Sequence, residues 1–293
     1  MSSVGITESQ KVALDALVCE RFSADAGNLG ILRGFENEKG TLLLEYALEH
    51  GFDEDARGDT AFYIVKSKSN EGLFFFSLKC GELFAPLKED EMRANLAESL
   101  VISQAVLNVV DSVDDKLKMV KKLKELGLSK GMPIKELLNV FRGNKAIRDV
   151  LARLEQDIKM EPNTNVARVK KTYSGIQLVH FCSNRSRSAK DLWASLAIDR
   201  PMGEVLFWRF VAPIFLNIRK LVGCEYAFLY AADMSLDLSL IHYYEQGLKF
   251  AQDPSLGANK PAYDFCCAFM CQPLIDLESN LRRYFEHFNV HDV

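Results

Sequence analysis

Ile176-Gln177-Leu178-Val179-His180-Phe181 is followed by Arg200-Pro201-Met202-Gly203-Glu204-Val205 and then by Tyr226-Ala227-Phe228-Leu229-Tyr230, and this succession decides the fold. The first run is short and apolar, as a buried strand is. Gly203 opens a stretch in which Val205, Leu206, Phe207, Phe210, Val211, Ile214, Phe215, Ile218 and Leu221 recur at three-to-four spacing. That spacing predicts one amphipathic helix, and Gly223 closes it. Residues 226–230 read as a second buried strand. The three together make a β-α-β unit, whose crossover helix leaves its strands parallel. A further helix then ends in Tyr243-Tyr244-Glu245, with Phe250 beyond it.

Toward the N-terminus, residues 6–23 hold Val12, Leu14, Leu17, Val18 and Phe22, a pattern that fits either helix or strand. Leu42, Leu43, Tyr46, Ala47 and His50 share one face of a helix expected from Gly40 to His50, with a loop expected at Gly51, Asp53 to Asp55 and Gly58. Residues 61–66 and 73–83 predict two strands around a turn at Ser69-Asn70-Glu71-Gly72. From 88 to 172 the periodicity is helical. Leu96, Leu100, Val101, Ala105, Val106 and Val109 mark one helix, residues 116–126 a lysine-rich one closed by Gly127, and residues 134–160 a pair broken at Arg142-Gly143-Asn144. Glu161-Pro162-Asn163-Thr164-Asn165 reads as a linker. After the central unit come a polar loop from Asp253 to Pro261, a closing strand over 263–271, and an amphipathic helix over 274–288. Residues 1–87 and 173–293 are therefore expected to be the two halves of one α/β domain, interrupted by a basic helical insertion at 88–172.

In this order the motifs resemble the GNAT N-acetyltransferases. Their fingerprint is a Q/R-x-x-G-x-G/A turn after the fourth strand and a tyrosine in a (F/Y)-Y-E context on a later helix. Arg200, Gly203 and Val205 stand at the turn positions, and Tyr243-Tyr244-Glu245 at the later one. Tyr46-Ala47-Leu48, Thr60-Ala61-Phe62-Tyr63-Ile64-Val65 and Phe74-Phe75-Phe76-Ser77-Leu78 are similar to the first half of that domain. The pattern is nearest to the branch that includes acetyltransferase toxins of toxin–antitoxin pairs, which act on aminoacyl-tRNA. The resemblance implies a mixed, twisted β-sheet flanked by helices, acetyl-CoA as co-substrate, direct acetyl transfer to an amine in a ternary complex, and a homodimer.

It also implies roles for particular residues. The pyrophosphate would sit at the turn formed by Arg200, Gly203, Glu204 and Val205, where helix N–H groups and their partial positive charge receive anions. Gly203 would let the backbone approach, and Arg200 would add a charge-assisted contact. The fourth strand would splay from the fifth and line the pantetheine arm with Phe181 and Cys182. Tyr244 matches the general acid that protonates the leaving thiolate, with Tyr243 as the fallback. His180 is a candidate base, since an imidazole titrates near neutrality. Asp233, at the end of the fifth strand, stands by the site, or else caps the next helix.

Composition bounds the rest. At 293 residues and 48% hydrophobic, the chain has material for a substantial core. Its net charge of −4 gives no whole-chain reason to expect nucleic acid. Residues 116–171, however, hold fifteen Lys or Arg against six Asp or Glu, about +9. Such a block can track a phosphate backbone, dock an acidic protein partner, or simply be a solvated face. The seven cysteines lack a disulfide-scaffold or zinc spacing and read as reduced core residues. No secretory leader or membrane-spanning run is evident, which fits a cytoplasmic protein. Two other readings stay open. One is a non-catalytic binding protein that kept the fold while its turn degenerated, as Val205, Glu204 and the long 183–199 segment suggest. The other is a nucleic-acid-binding regulator acting through the insertion.

Overall fold

The fold is given by a computed structural model, which describes residues 5–86, 105, 108–109, 116–130, 169–233, 235, 237–258 and 267–290. Residues 6–23 resolve into both alternatives. Helix α1 (Glu8–Asp15) starts in a capping box, in which Gln10 N–H donates to Thr7 Oγ1 and Thr7 N–H to Gln10 Oε1. Strand β1 (Val18–Arg21) and helix α2 (Gly27–Leu32) follow. Helices α3 (Thr41–Tyr46) and α4 (Phe52–Arg57) join through a widened turn, Ala47–Gly51, into one continuous helix. The loop expected at 51–55 is thus helical, and Gly58, at φ +80°, ends it. Gly51 does not break the helix: a Cβ there would lie 3.3 Å from the Phe22 and Phe62 rings, so its lack of a side chain lets the helix close on the sheet.

Strands β2 (Ala61–Lys66) and β3 (Gly72–Pro86) follow, antiparallel to each other, with β1 antiparallel on the far side of β2. Next come α5 (Lys116–Lys130) and β4 (Val169–Ser183). Helix α5 runs straight through Gly127. It buries Leu123 and exposes Lys118, Lys121, Lys122 and Lys124. The helices expected around 88–109 and 134–160, the 161–165 linker and the start of the closing strand at 263–266 lie outside the described residues, apart from 105 and 108–109. The chain forms two compact units, Met1–Ala85 with Lys171–Val293, and Pro86–Lys170.

Residues 183–199, which carried no expected element, hold α6 (Arg187–Ser195), capped by Ser186 Oγ accepting from Ala189 N–H. Helices α7 (Met202–Leu206) and α8 (Ala212–Val222) flank a second widened turn, Phe207–Val211, and Gly223 at φ +74° terminates α8. Val205, Leu206, Phe207 and Trp208 are buried in succession, which a helix allows only where neighbours enclose it on several sides. Burial of Phe207 and Phe215 contributes about 2–3 kcal/mol each before conformational entropy is set against it. The remaining elements are β5 (Tyr226–Ala231), α9 (Ser239–Gln246), β6 (Gly257–Ala258), β7 (Ala268–Pro273) and α10 (Leu274–Glu286). No helix among the described residues is long and apolar enough to cross a membrane.

The strands make a seven-stranded mixed sheet in the order β1-β2-β3-β4-β5-β7, with β6 beside β3. One face packs Leu73, Phe74, Phe76, Ile176 and Leu229 against α1, α7, α8 and α10. The other packs Phe22, Phe35, Phe62, Ile64 and Phe75 against the helices of residues 27–57. Along β4 the alternation slips. Ile176, Leu178 and Phe181 belong to the first face, whereas His180 meets Ser77 and Phe62, and Cys182 joins the second cluster. A spacing of three between Leu178 and Phe181, where a strand repeats every two, places one extra residue there.

Candidate active site

Strands β4 and β5 are parallel and pair at Gly175–Tyr226, Ile176–Ala227 and Gln177–Phe228. Their ladder stops there, although β4 continues to Ser183 and β5 to Ala231. The strands part where β4 takes its extra residue, and a cleft of about 1770 Å³ opens between them. Phe181 and Leu229 line it from the strands, α6 and the start of α7 from one side, and Tyr243 and Tyr244 of α9 from another. The start of α3 completes the rim with Thr41, Leu42 and Leu43, and Leu42 is 81% exposed. A mixed sheet flanked by helices, with the strand before the Gly203 turn splaying from the one after it, is what the resemblance implied.

No family model and no curated protein matches the chain. Among solved structures, the chain is similar to a tyrosine mutant of KacT at 11% identity, with 90% of this chain and 99% of that one covered and a TM-score of 0.46. It is similar to AtaTR bound with AcCoA at 12% identity, covering 91% and 98%, with a TM-score of 0.45. AtaT complexed with acetyl-methionyl-tRNAfMet gives 13% identity, 90% and 98% coverage, and a TM-score of 0.42. Similarity at this level decides nothing about chemistry, which has to come from the cleft itself.

The turn at Gly203 brings some of the expected residues together. Gly203 is buried, and a Cβ there would stand 2.8 Å from Tyr243 Oη and 3.1 Å from Ser183 Oγ, so a side chain would have to push these two hydroxyls aside. Phe181 lies edge-on to Phe74 at 4.7 Å and 6.3 Å from the Tyr244 ring. Tyr243 and Tyr244 are oriented differently. Tyr243 reaches Gly203, and burial, with Tyr244 and Glu204 nearby, pushes its phenol well above the usual tyrosine range. Burial raises the Tyr244 phenol too, with Cys182 and Cys267 close by rather than the turn.

Other expected residues are engaged elsewhere. Arg200 lines the cleft, yet its guanidinium is not available to a phosphate. Nε donates to the Phe288 carbonyl, Nη2 to the His287 and Val290 carbonyls, and Nη1 to Glu204 Oε1 at 3.0 Å. It also lies over the Tyr284 and Phe288 rings. The phosphate contact expected of Arg200 is replaced by a clamp on the C-terminal segment. Glu204 is Arg200's ion partner and so puts no free anion at the turn. Val205 is fully buried in the core and does not crowd the cleft. The two residues that suggested a degenerate turn both face away from it. Asp233 acts as the cap: Oδ2 accepts from the N–H groups of Leu240 and Ile241, and Oδ1 from Ser235. The Ser235 hydroxyl foremost, with these amides, pulls its carboxyl down to about 2. Cys182 lines the cleft as expected but is itself buried, its thiol raised to about 11 by burial, and it accepts from Asn37 Nδ2 at 3.4 Å.

His180 is turned away from the cleft. Its Nδ1 lies 2.6 Å from Ser77 Oγ, and its ring stacks between Tyr46 and Phe62 at 5.1 and 5.2 Å. Burial lowers its pKa to about 4 despite the nearby Glu54 carboxylate, which is itself bonded by Tyr46. It is a neutral core histidine, not the base. Because its folded pKa lies below the ordinary 6.5, the unfolded chain takes up the proton first as pH falls. Stability is expected to drop by about 3 kcal/mol between pH 6.5 and about 4. Thermal melts across that range should show the slope in the parent chain and lose it in His180→Phe. An unchanged slope would assign the acid loss to other groups.

Sequence reasoning missed Arg185 and Lys190. Both are exposed, both line the cleft, and neither makes an ion pair among the described residues. The signal was present as Ser183-Asn184-Arg185-Ser186-Arg187-Ser188-Ala189-Lys190, inside the segment that looked like excess length.

Proposed function

We propose that the chain is an acetyl-CoA-dependent N-acetyltransferase that passes the acetyl group directly to a primary amine. The observation that carries this reading is one cleft holding three parts in the order the chemistry requires: the Gly203 turn, a stretch of β4 that β5 leaves unpaired, and a buried tyrosine at the parting. Gly203 gives close backbone approach at the helix start, where a pyrophosphate is received. The main chain of residues 178–182, which does not pair with β5, would hold the pantetheine arm with Phe181 beside it. Acetyl-CoA, when bound, supplies an acetyl thioester open to attack by an amine. Tyr244 keeps its proton on Oη at neutral pH because burial disfavours the phenolate, and it donates that proton on the thioester side of the cleft. Tyr243 packs on the turn and serves binding; it is the fallback acid. The acceptor amine gives up its proton to solvent water in the open cleft; among the described lining residues none is a histidine.

Charged tRNA is the acceptor to be tried first. The supporting feature is the +9 block at 116–171, including the four exposed lysines of α5, since a phosphate backbone is drawn to such charge. A basic docking surface for an acidic protein partner is the competing use of the same lysines.

Calorimetric titration tests the central reading. The parent chain is expected to bind acetyl-CoA in the micromolar range, and Gly203→Trp, whose ring would have to displace Tyr243 and Ser183, is expected to abolish binding. A parent chain that does not bind acetyl-CoA would sink the enzyme reading.

A further inference from the structure

The Arg200 clamp leaves the turn without its expected cation. Of the other cations lining the cleft, Lys39 stands just before α3, Arg185 just before α6 and Lys190 within α6. The backbone holding them is firmly placed. Arg185 N–H donates to the Glu36 carbonyl at 2.7 Å. Its neighbour Asn184, buried, accepts from Glu36 N–H and Ser186 N–H at 3.0 Å each and donates to the Gly72 carbonyl at 2.7 Å. Helix α6 is tied to the approach to α7 by Trp193 Nε1, which donates to the Arg200 carbonyl at 3.2 Å. The Arg185 guanidinium is near enough to Tyr243 to oppose the rise of its phenol, and Tyr243 Oη abuts Gly203. Two cations that make no ion pair among the described residues, on a braced backbone and lining the same cleft as Gly203, offer charge to a phosphate.

We propose that Arg185 and Lys190 hold the phosphate groups of the CoA moiety, in place of Arg200. The segment 183–199 is then the phosphate-binding wall of the cleft. This rests on the proposed acetyl-CoA reading, and its test separates the two. The full chain is titrated calorimetrically with CoA and with 3′-dephospho-CoA. Arg185→Ala is expected to weaken CoA binding about tenfold and Lys190→Ala by roughly threefold to tenfold, with Arg185→Lys recovering part of the loss. Arg187→Ala is the control: Arg187 is almost fully exposed, pairs with Asp191 and does not line the cleft, so binding should not change. All three positions are exposed charges, and coincident thermal melts confirm folding. A loss that vanishes with 3′-dephospho-CoA assigns that residue to the 3′-phosphate, and a loss that persists assigns it to the pyrophosphate. Parent-like binding by the Arg185→Ala/Lys190→Ala double variant, in a chain that binds CoA, overturns the inference alone. A parent chain that binds no CoA overturns the proposed function as well.

Discussion

Tyr244→Phe is expected to lower kcat by about 10²–10³-fold while leaving KM for acetyl-CoA within about twofold. The ring is kept, and with it the contacts to Phe181 and Tyr243, so the variant removes an O–H and little else. Only the barrier that needs the proton should rise. Tyr243→Phe should behave in the opposite way. Its hydroxyl stands against Gly203, at the binding end of the cleft, so KM should move more than kcat. Steady-state kinetics of both variants with one acceptor decides the matter. A kcat loss found only in Tyr243→Phe would move the acid one residue back, and a loss in neither would remove tyrosine from the chemistry.

Arg200→Ala carries the largest expected cost in stability, about 3–4 kcal/mol. The change strips donors from the carbonyls of His287, Phe288 and Val290 and takes away the cation of Glu204, whose side chain is only 12% exposed. It also removes the plane that covers Tyr284 and Phe288. In a unit of this size the melting temperature should fall by roughly 6–12 °C. Arg200→Lys should recover a minor part, because one ammonium cannot reproduce a fork that spans three carbonyls and a carboxylate. A loss below about 1 kcal/mol in thermal or urea denaturation would show that the clamp is ornamental.

The strands and the long helix were legible because burial imposes local periodicity, and residues 61–66, 176–181, 205–221 and 226–230 carry it plainly. Gly51 misled because glycine is a turn signal on its own, and its use as a clearance beneath Phe22 and Phe62 depends on residues far along the chain. The roles of Arg200 and Glu204 were hidden for the same reason: their partners lie at the C-terminus and on each other. Period-two alternation taken from Phe181 turns His180 away from the cleft, as the structure does, and the extra residue in β4 breaks only the match with Leu178. Arg185 and Lys190 were within reach. Two cations in a serine-rich run before a helix were readable, but they fell in a segment measured by its length and not by its chemistry. The tyrosine pair and Gly203 stood out because a fingerprint names them, and both line one cleft.

The widened turn at Phe207–Val211 makes the helix from Met202 to Val222 two rods set one residue out of step. The turn holds one residue more than a regular helix needs, so removing one residue within it would let the segment close as a continuous α-helix with both rods keeping their faces. Gly203 would stay against Ser183 and Tyr243, and Ala212 and Phe215 would stay in the core. The same deletion within Ala212–Val222 has no spare residue to draw on, and it would turn the two sides of the cut by about 100° against each other and disturb the core.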